Sequence, residues 1–149
     1  MILVDANLLL YAANHAAPEH ARARLWLDDR LGGARRVGLP WPSLLAFVRL
    51  ATNPLVVRNA VAAADAWHQV EEWLGCESAW IPLPGADHPE VLRTLFKSPW
   101  MTSRLVSDAH LAALAIEHGL TLCSTDGDFS KFPGLTWQNP LAAEPRRAR

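Results

Sequence analysis

The sequence predicts a single α/β domain, a three-layer α/β/α sandwich with a mostly parallel central sheet. Short, uninterrupted apolar runs, typical of strands buried on both faces of a parallel sheet, alternate with longer helical segments. The chain has 149 residues and half of them are apolar, which suits one domain with one buried core. We therefore expect one domain over residues 1–140 and a basic C-terminal tail over residues 141–149.

The chain begins with a predicted strand and two helices. Met1–Val4 is apolar throughout, as in a buried parallel strand. Leu8–Ala13 follows Asp5 closely and is too rich in leucine and alanine to be more strand, so it predicts a helix. A second helix is expected over Pro18–Leu31, because proline and glutamate are favoured in a first turn. The glycines at 32 and 33 end it.

A second strand and a third helix come next. Arg36–Pro40 fits a short strand, and Ser43 is the expected cap of the helix that follows. The apolar face of this helix consists of Leu44, Phe47, Val48 and Ala51. Pro54 then prevents the helix from continuing.

The middle of the chain predicts two more helices around a third strand. Asp65–Leu74 is amphipathic, and Gly75 follows it as a cap. Its inward residues are expected to be Trp67, Val70, Trp73 and Leu74. Ala79–Ile81 fits a strand, and Asp87–Phe96 fits a helix with proline in its first turn.

The last unit is a helix followed by a strand. Ser107 is expected to cap a helix from Asp108 to His118, and glycine 119 closes it. Leu120–Cys123 then predicts a buried strand, and Leu135–Trp137 a weak edge strand.

The overall charge and the two cysteines exclude several classes of protein. The 14 Lys and Arg nearly balance 15 Asp and Glu, so no global positive field predicts a nucleic-acid partner. Cys76 and Cys123 have neither CxxC spacing nor neighbouring histidines, which predicts free thiols rather than a disulfide framework or a zinc site. No apolar stretch has the length of a signal peptide or a membrane span, so we expect a cytoplasmic protein.

Three aspartates occur where an apolar run gives way to a turn or a helix. Asp5 and Asp126 follow predicted strands, and Asp108 begins the last helix. Because the carboxyl ends of parallel strands face one crevice, the three are expected to meet there. Oxygen ligands without Cys or His favour Mg²⁺ or Mn²⁺, and such a site suits phosphoryl chemistry. The alternative is that each aspartate is an ordinary turn or cap residue.

Other polar residues near these aspartates are candidates for supporting roles. Asp128 is either a further acid of the site or a residue of the turn after Asp126. The expected hydrogen-bonding supports of the carboxylates are Asn7, Ser124 and Thr125. The candidate RNA contacts are Arg49, Arg104 and Lys131, for which a solvated surface charge is the alternative. His110 and His118 are expected on the helix surface.

Three segments of the chain resemble a known family. They are MILVDANLLLYA, WPSLLAFVRLATNP and SDAHLAALAIEHGLTLCSTDGDFSKFPGL, and together they are similar to PIN-domain ribonucleases of the kind found as VapC toxins in bacterial type II toxin–antitoxin systems. The resemblance implies a Mg²⁺- or Mn²⁺-dependent endoribonuclease that cleaves tRNA or rRNA. It also implies a homodimer and a VapB-type antitoxin that neutralises it in a hetero-oligomer.

The resemblance assigns four aspartates of this chain to acidic positions of the family, and at one further position this chain departs from the family pattern. The family's first, third and fourth acidic positions fall on Asp5, Asp108 and Asp126, and Asp128 matches an auxiliary acid. The second acid, a glutamate in a segment like EFLR, is replaced here by Ala46. The site therefore has one negative charge fewer than its relatives, and Mg²⁺ would complete its shell with water.

The sequence is also compatible with two other functions. The first is a PIN-fold module that binds RNA or protein without catalysis, which the alanine at 46 allows. The second is a Mg²⁺-dependent phosphatase with an aspartate after its first strand. That chemistry needs a second aspartate two residues on, where this chain has Asn7.

Overall fold

The computed structural model describes residues 1–142. The strands are β1 (Ile2–Val4), β2 (Val37–Gly38), β3 (Ala79–Trp80), β4 (Thr121–Cys123) and β5 (Thr136–Gln138). The helices are α1 (Ala6–Ala13), α2 (His20–Leu31), α3 (Trp41–Ala51), α4 (Ala63–Leu74), α5 (His88–Phe96) and α6 (Val106–Glu117). Two short 3₁₀ turns cover Ser103–Leu105 and Gly127–Lys131.

The strands form one parallel sheet in the order β3-β2-β1-β4-β5. The first strand is central, because Ile2 pairs with Val37 on one side and with Thr121 on the other. This topology confirms the predicted fold class. It also brings the carboxyl ends of β1 and β4 side by side, where Asp5 N donates a hydrogen bond to Cys123 O at 3.0 Å.

Each face of the sheet is covered by its own helices and core. Val4 faces the cluster formed by α1, α2, α3 and α4, while Leu3 faces the cluster formed by α5 and α6. Both side chains have no exposed surface, as expected when neighbouring strand residues point to opposite faces. Full burial of one such side chain stabilises the fold by about 1.5–3 kcal/mol.

Two predicted helix caps are wrong. The third helix begins at Trp41, directly after Pro40, so Ser43 lies inside the helix and is buried. The last helix begins at Val106 after a 3₁₀ turn, and Ser107 therefore lies in its first turn. In both cases the backbone enters the helix earlier than the serine, without a side-chain cap.

Two side chains have partners that the sequence did not predict. Trp67 is not in the core: it is 37% exposed and stacks on Trp41, with ring centroids 6.3 Å apart. His110 is not a free surface residue, because its Nδ1 lies 3.0 Å from His88 Nε2. His88 in turn pairs through Nδ1 with the buried Glu117 carboxylate and so joins α5 to α6.

The two cysteines are free thiols, and Cys123 is buried. Leu141 is buried in the core, and its carbonyl oxygen accepts a hydrogen bond from Arg22. Packing therefore extends one residue into the predicted tail, and the rest of that prediction, residues 143–149, lies outside the described residues. No helix within residues 1–142 is long and apolar enough to cross a membrane.

Candidate active site at the carboxyl ends of the strands

Asp5 is held at the centre of the carboxyl-side rim of the sheet. It directly follows β1 and caps α1, with Oδ1 accepting a hydrogen bond from Ala6 N at 2.7 Å. Its Oδ2 accepts a second bond from Ser124 Oγ, also at 2.7 Å. Burial raises the pKa of Asp5 above its usual range, and these two hydrogen bonds oppose the rise. The side chain thus has one fixed orientation.

Ser124 is the hub of this arrangement and is completely buried. Its oxygen accepts hydrogen bonds from Asn7 Nδ2 at 2.9 Å and from Asp126 N at 3.0 Å. With two N–H groups directed at this oxygen, its own proton goes to Asp5. Asn7 therefore supports Asp5 through Ser124 rather than directly. Thr125 contributes its backbone N–H, 3.4 Å from Asn7 Oδ1.

Asp108 lies half-buried in the first turn of α6 and is the most perturbed acid of the rim. Its pKa is raised from 3.8 to about 6, chiefly by burial. The negative charges of Asp5, Asp126 and Asp128 raise it further, and the charge of Arg104 acts in the opposite direction. The aspartates predicted to meet are therefore close enough to repel one another.

Asp126 and Asp128 each have hydrogen-bonding or charged partners within the protein. Asp126 Oδ1 accepts a hydrogen bond from Asp128 N at 2.9 Å and so caps the 3₁₀ turn. Asp128 pairs with Lys131 Nζ at 2.7 Å and with Arg104 Nη2 at 3.0 Å. The hydrogen bond from Lys131 is the main reason that the pKa of Asp128 is lowered. Arg104 and Lys131, two of the three predicted RNA contacts, thus place their positive charges at this rim.

The donor chemistry of the rim fits a hard divalent cation. Within residues 1–142, no three Asp, Glu, His or Cys side chains converge closely enough to ligate one ion as they lie. Mg²⁺ commonly binds through one or two carboxylates and keeps several waters, so a closed protein cage is not required. A cation would also relieve the repulsion by neighbouring acids that contributes to the raised pKa of Asp108.

The third helix contributes no acid to the rim. Its sequence, WPSLLAFVRLA, contains neither Asp nor Glu, and Ala46 is half-buried. Arg49 is exposed, and its charge is not among those that shift the pKa of the rim carboxyls. Nothing on α3 therefore replaces the charge that Ala46 lacks.

The pairing of Asp128 with two cations was missed from the sequence. The spacing from Asp128 to Lys131 is three residues, which within a helical turn places the two side chains on one side, and this signal was available. The partner Arg104 is 24 residues away and is brought there only by the fold. The link between His88 and Glu117 likewise had no signal in the sequence.

The chain is similar to a known family and to proteins of that kind. The family model described as PIN domain matches residues 2–135. Ribonuclease VapC37 of Mycobacterium tuberculosis is 43% identical over 142 residues, covering 95% of this chain and 99% of that protein. Ribonuclease VapC33 of the same organism is 38% identical over 141 residues, covering 95% of this chain and 99% of that protein.

Solved structures share the fold at low sequence identity. The chain is similar to FitAB bound to an IR36 DNA fragment, with a TM-score of 0.67, 17% identity, and coverage of 98% of this chain and 99% of that chain. It is also similar to Mycobacterium tuberculosis VapC20, described as a sarcin–ricin loop cleaving toxin, with a TM-score of 0.61, 22% identity, and coverage of 91% and 99%. VapBC2 of Rickettsia felis, bound to a promoter DNA fragment, has a TM-score of 0.63 at 15% identity, with coverage of 93% and 98%.

Proposed function

Because the chain belongs to the PIN domain family and its relatives of highest identity given above are VapC ribonucleases, we propose that it is a metal-dependent endoribonuclease, the toxin of a type II toxin–antitoxin pair. The observation that carries the proposal is the gathering of acids at the carboxyl-side rim, where Asp5 follows β1, Asp108 lies in the first turn of α6 and Asp126 caps the turn after β4. The raised pKa of Asp108, caused by burial and by the neighbouring acids, supports it. Perturbed carboxyls in one crevice are typical of a working site.

The residues of the rim have two proposed roles, binding the metal ion and orienting its ligands. A bound Mg²⁺ or Mn²⁺ supplies an activated water and neutralises charge on the scissile phosphate. Asp5, Asp108 and Asp126 are the proposed ligands. Ser124 fixes the Asp5 carboxylate through its proton, and Asn7 and Asp126 N–H hold Ser124 in turn.

The proposed substrate is tRNA or rRNA. VapC20, which shares the fold, is described as cleaving the sarcin–ricin loop, and this supports a structured RNA. Arg104 and Lys131 are the proposed RNA contacts beside the acids, since both cations lie at the rim through their pairing with Asp128. Arg49 is exposed on α3 and is a third proposed contact.

The proposed partners are a VapB-type antitoxin and a second copy of the chain, in the cytoplasm. The similar structures of VapBC2, bound to a DNA fragment from its promoter, and of FitAB, bound to the IR36 DNA fragment, support such a partner. The chain also has exposed apolar side chains on α3 and α4 that suit a protein partner, with Leu45 57% exposed beside the stacked Trp41 and Trp67.

A cleavage assay tests the proposal. The purified protein is incubated with total tRNA and rRNA and Mn²⁺ or Mg²⁺, beside an EDTA control and the Asp5→Asn variant. We expect discrete fragments from the wild type only, and only with the cation. Intact RNA in every lane, despite binding, would favour a second function, a PIN-fold binding module without catalysis.

That second function has one observation in its favour, the absence of any acid on α3. The phosphatase alternative has none, because the residue two after Asp5 is Asn7, whose amide is hydrogen-bonded to Ser124.

A further inference from the structure

A basic cavity lies at the end of the sheet opposite the aspartates. It has a volume of about 220 Å³ and lies where β1 and β2 begin, so that Ile2 and Val37 contribute to its wall. Three arginines line it: Arg30 in the last turn of α2, and Arg35 and Arg36 in the segment between α2 and β2. All three are exposed to solvent.

The charge of this cavity is not neutralised by the protein. Asp29 is the one acidic residue among the described residues that line it. Within residues 1–142, none of its three arginines forms an ion pair, whereas Arg24 pairs with Asp28 and Arg93 with Glu90. A chain with a net charge of −1 therefore concentrates uncompensated positive charge at one point.

One of the arginines is held in place without losing its charge. The backbone of Arg36 is tied to the sheet, since its carbonyl oxygen accepts a hydrogen bond from Ile2 N at 3.4 Å and the next residue, Val37, donates to Ser78 O at 2.9 Å. Its guanidinium lies over the ring of Trp80, 4.7 Å from the centroid. Trp80 packs with the α5–α6 cluster and does not line the cavity, so this stacking holds the Arg36 guanidinium at the edge of the sheet beside the cavity, with its N–H groups available.

The size of the cavity and the type of its charges define the ligand. Pockets for whole small molecules usually have about 300–1,000 Å³, so this cavity suits one group of a larger ligand. Arginine is the side chain best matched to phosphate, which it binds through paired N–H groups. We propose that the cavity formed by Arg30, Arg35 and Arg36 binds a backbone phosphate of the RNA substrate, on the side of the protein away from the scissile bond.

The inference rests on the proposed function for the identity of the ligand, but its test does not need cleavage. A structured RNA of tRNA size is long enough to contact both ends of a small domain, and a phosphate contact fixes its orientation without reading its sequence. Residues at the amino ends of the strands would then position RNA for the acids at the carboxyl ends.

Binding in EDTA, where no cation supports cleavage, isolates this contact. Fluorescence anisotropy with labelled total tRNA compares the wild type with the triple variant Arg30→Gln/Arg35→Gln/Arg36→Gln. The matched control is Arg24→Gln/Arg58→Gln/Arg93→Gln, which removes the same charge from exposed arginines outside the cavity. Thermal melting confirms folding, and Arg35→Gln alone replaces the triple variant if that variant does not fold.

We expect the cavity variant to bind RNA at least about tenfold more weakly, because the charge-assisted hydrogen bonds to a phosphate are lost. The slope of log K against log salt should fall by about 0.7–0.9 for one lost phosphate contact. The control variant should show less than half of either effect. Equal losses in the two variants would overturn the inference.

A second arm separates RNA from free anions. Inorganic phosphate, added during ¹H–¹⁵N spectroscopy, should shift the amides of residues 33–37 in the wild type only. If it does so while the cavity variant binds RNA normally, the cavity binds small anions and the RNA inference is wrong. If the wild type cleaves nothing but the cavity variant loses RNA binding, the inference stands and the proposed function falls.

Discussion

The two ends of the sheet have opposite chemistry. At the carboxyl ends of the strands, Asp5 and Asp108 are partly buried and raised in pKa, and Asp5 accepts hydrogen bonds from Ser124 and from Ala6 N. At the amino ends, Arg30, Arg35 and Arg36 are exposed around an open cavity. The comparison shows two ways of building a site. A buried hydrogen-bond donor, Ser124, fixes the orientation of Asp5, whereas the exposed arginines act mainly through their charge.

The largest expected effect comes from removing the central acid. Asp5→Asn keeps the size of the side chain but loses the charge, so RNA cleavage with Mn²⁺ should fall by at least about 100-fold, as several kcal/mol of charge stabilisation are lost. Asp28→Asn, an exposed aspartate of α2, is the matched control and should cleave normally. Single-turnover rates measure both. Similar cleavage rates for Asp5→Asn and the wild type would show that the acids at the carboxyl ends of the strands are not the catalytic site.

The next effect tests whether buried hydrogen bonds, and not charge alone, define the acidic end. Ser124→Ala leaves Asp5 Oδ2, Asn7 Nδ2 and Asp126 N without their shared partner. Mn²⁺ affinity, measured by EPR titration, should fall by about 10–100-fold. The free energy of unfolding should fall by about 1–3 kcal/mol.

Ser130→Ala is the control for that change. Ser130 also donates a hydrogen bond, to Gly127 O at 2.7 Å, but it is exposed. Its loss should leave Mn²⁺ affinity unchanged. Equal affinities in the two alanine variants would mean that the hub does not orient Asp5.

A smaller effect should come from restoring the missing acid. Ala46→Glu adds a carboxylate to α3, and we expect Mn²⁺ to bind about tenfold more tightly because affinity rises with ligand charge. Leu45→Glu adds the same charge to an exposed position one residue earlier. If the two variants bind Mn²⁺ alike, Ala46 does not face the acids.

The smallest effect concerns stability in the absence of a cation. A carboxyl whose pKa rises from 3.8 to about 6 on folding binds its proton more tightly when folded, so stability falls as pH rises through that window. Asp108→Asn removes this penalty. It should be more stable than the wild type by about 1 kcal/mol at pH 7, after allowance for solvent screening at a half-exposed group, and equal to it near pH 4.

Denaturant unfolding in EDTA at the two pH values measures this difference. Saturating Mn²⁺ should abolish or reverse it at pH 7, because a bound cation then stabilises the wild-type carboxylate. If the variant and the wild type differ in free energy of unfolding by the same amount at both pH values, the pKa of Asp108 is not raised by folding.

The sequence predicted what depends on local pattern. Apolar runs such as Met1–Val4 identified every strand, and parallel topology alone placed Asp5 and Asp126 on one rim, as the structure confirms. The sequence-based prediction failed where a residue distant in the chain determines the position of a side chain. Trp67 faces outward because Trp41 is there to stack on it, and His110 is partly buried because α5 brings His88 to it.

The helix starts failed for a different reason. The third helix begins at Trp41, directly after Pro40, and a 3₁₀ turn leads into the last helix at Val106, so both helices begin ahead of the serines that were expected to cap them. The basic cavity was missed although Arg30, Arg35 and Arg36 lie close together in the chain, because the sequence does not show that the beginnings of β1 and β2 form a wall beside them.

Paramagnetic relaxation by Mn²⁺ tests the central claim, that the carboxyl-side acids hold the catalytic cation, most directly. A substoichiometric amount of Mn²⁺ is added to ¹⁵N-labelled protein, and the broadening of each amide signal is measured. The account predicts that signals of Asn7, Ala109 and Thr125 disappear first, while those of residues 33–37 stay sharp. Broadening that is uniform, or centred elsewhere, would contradict it.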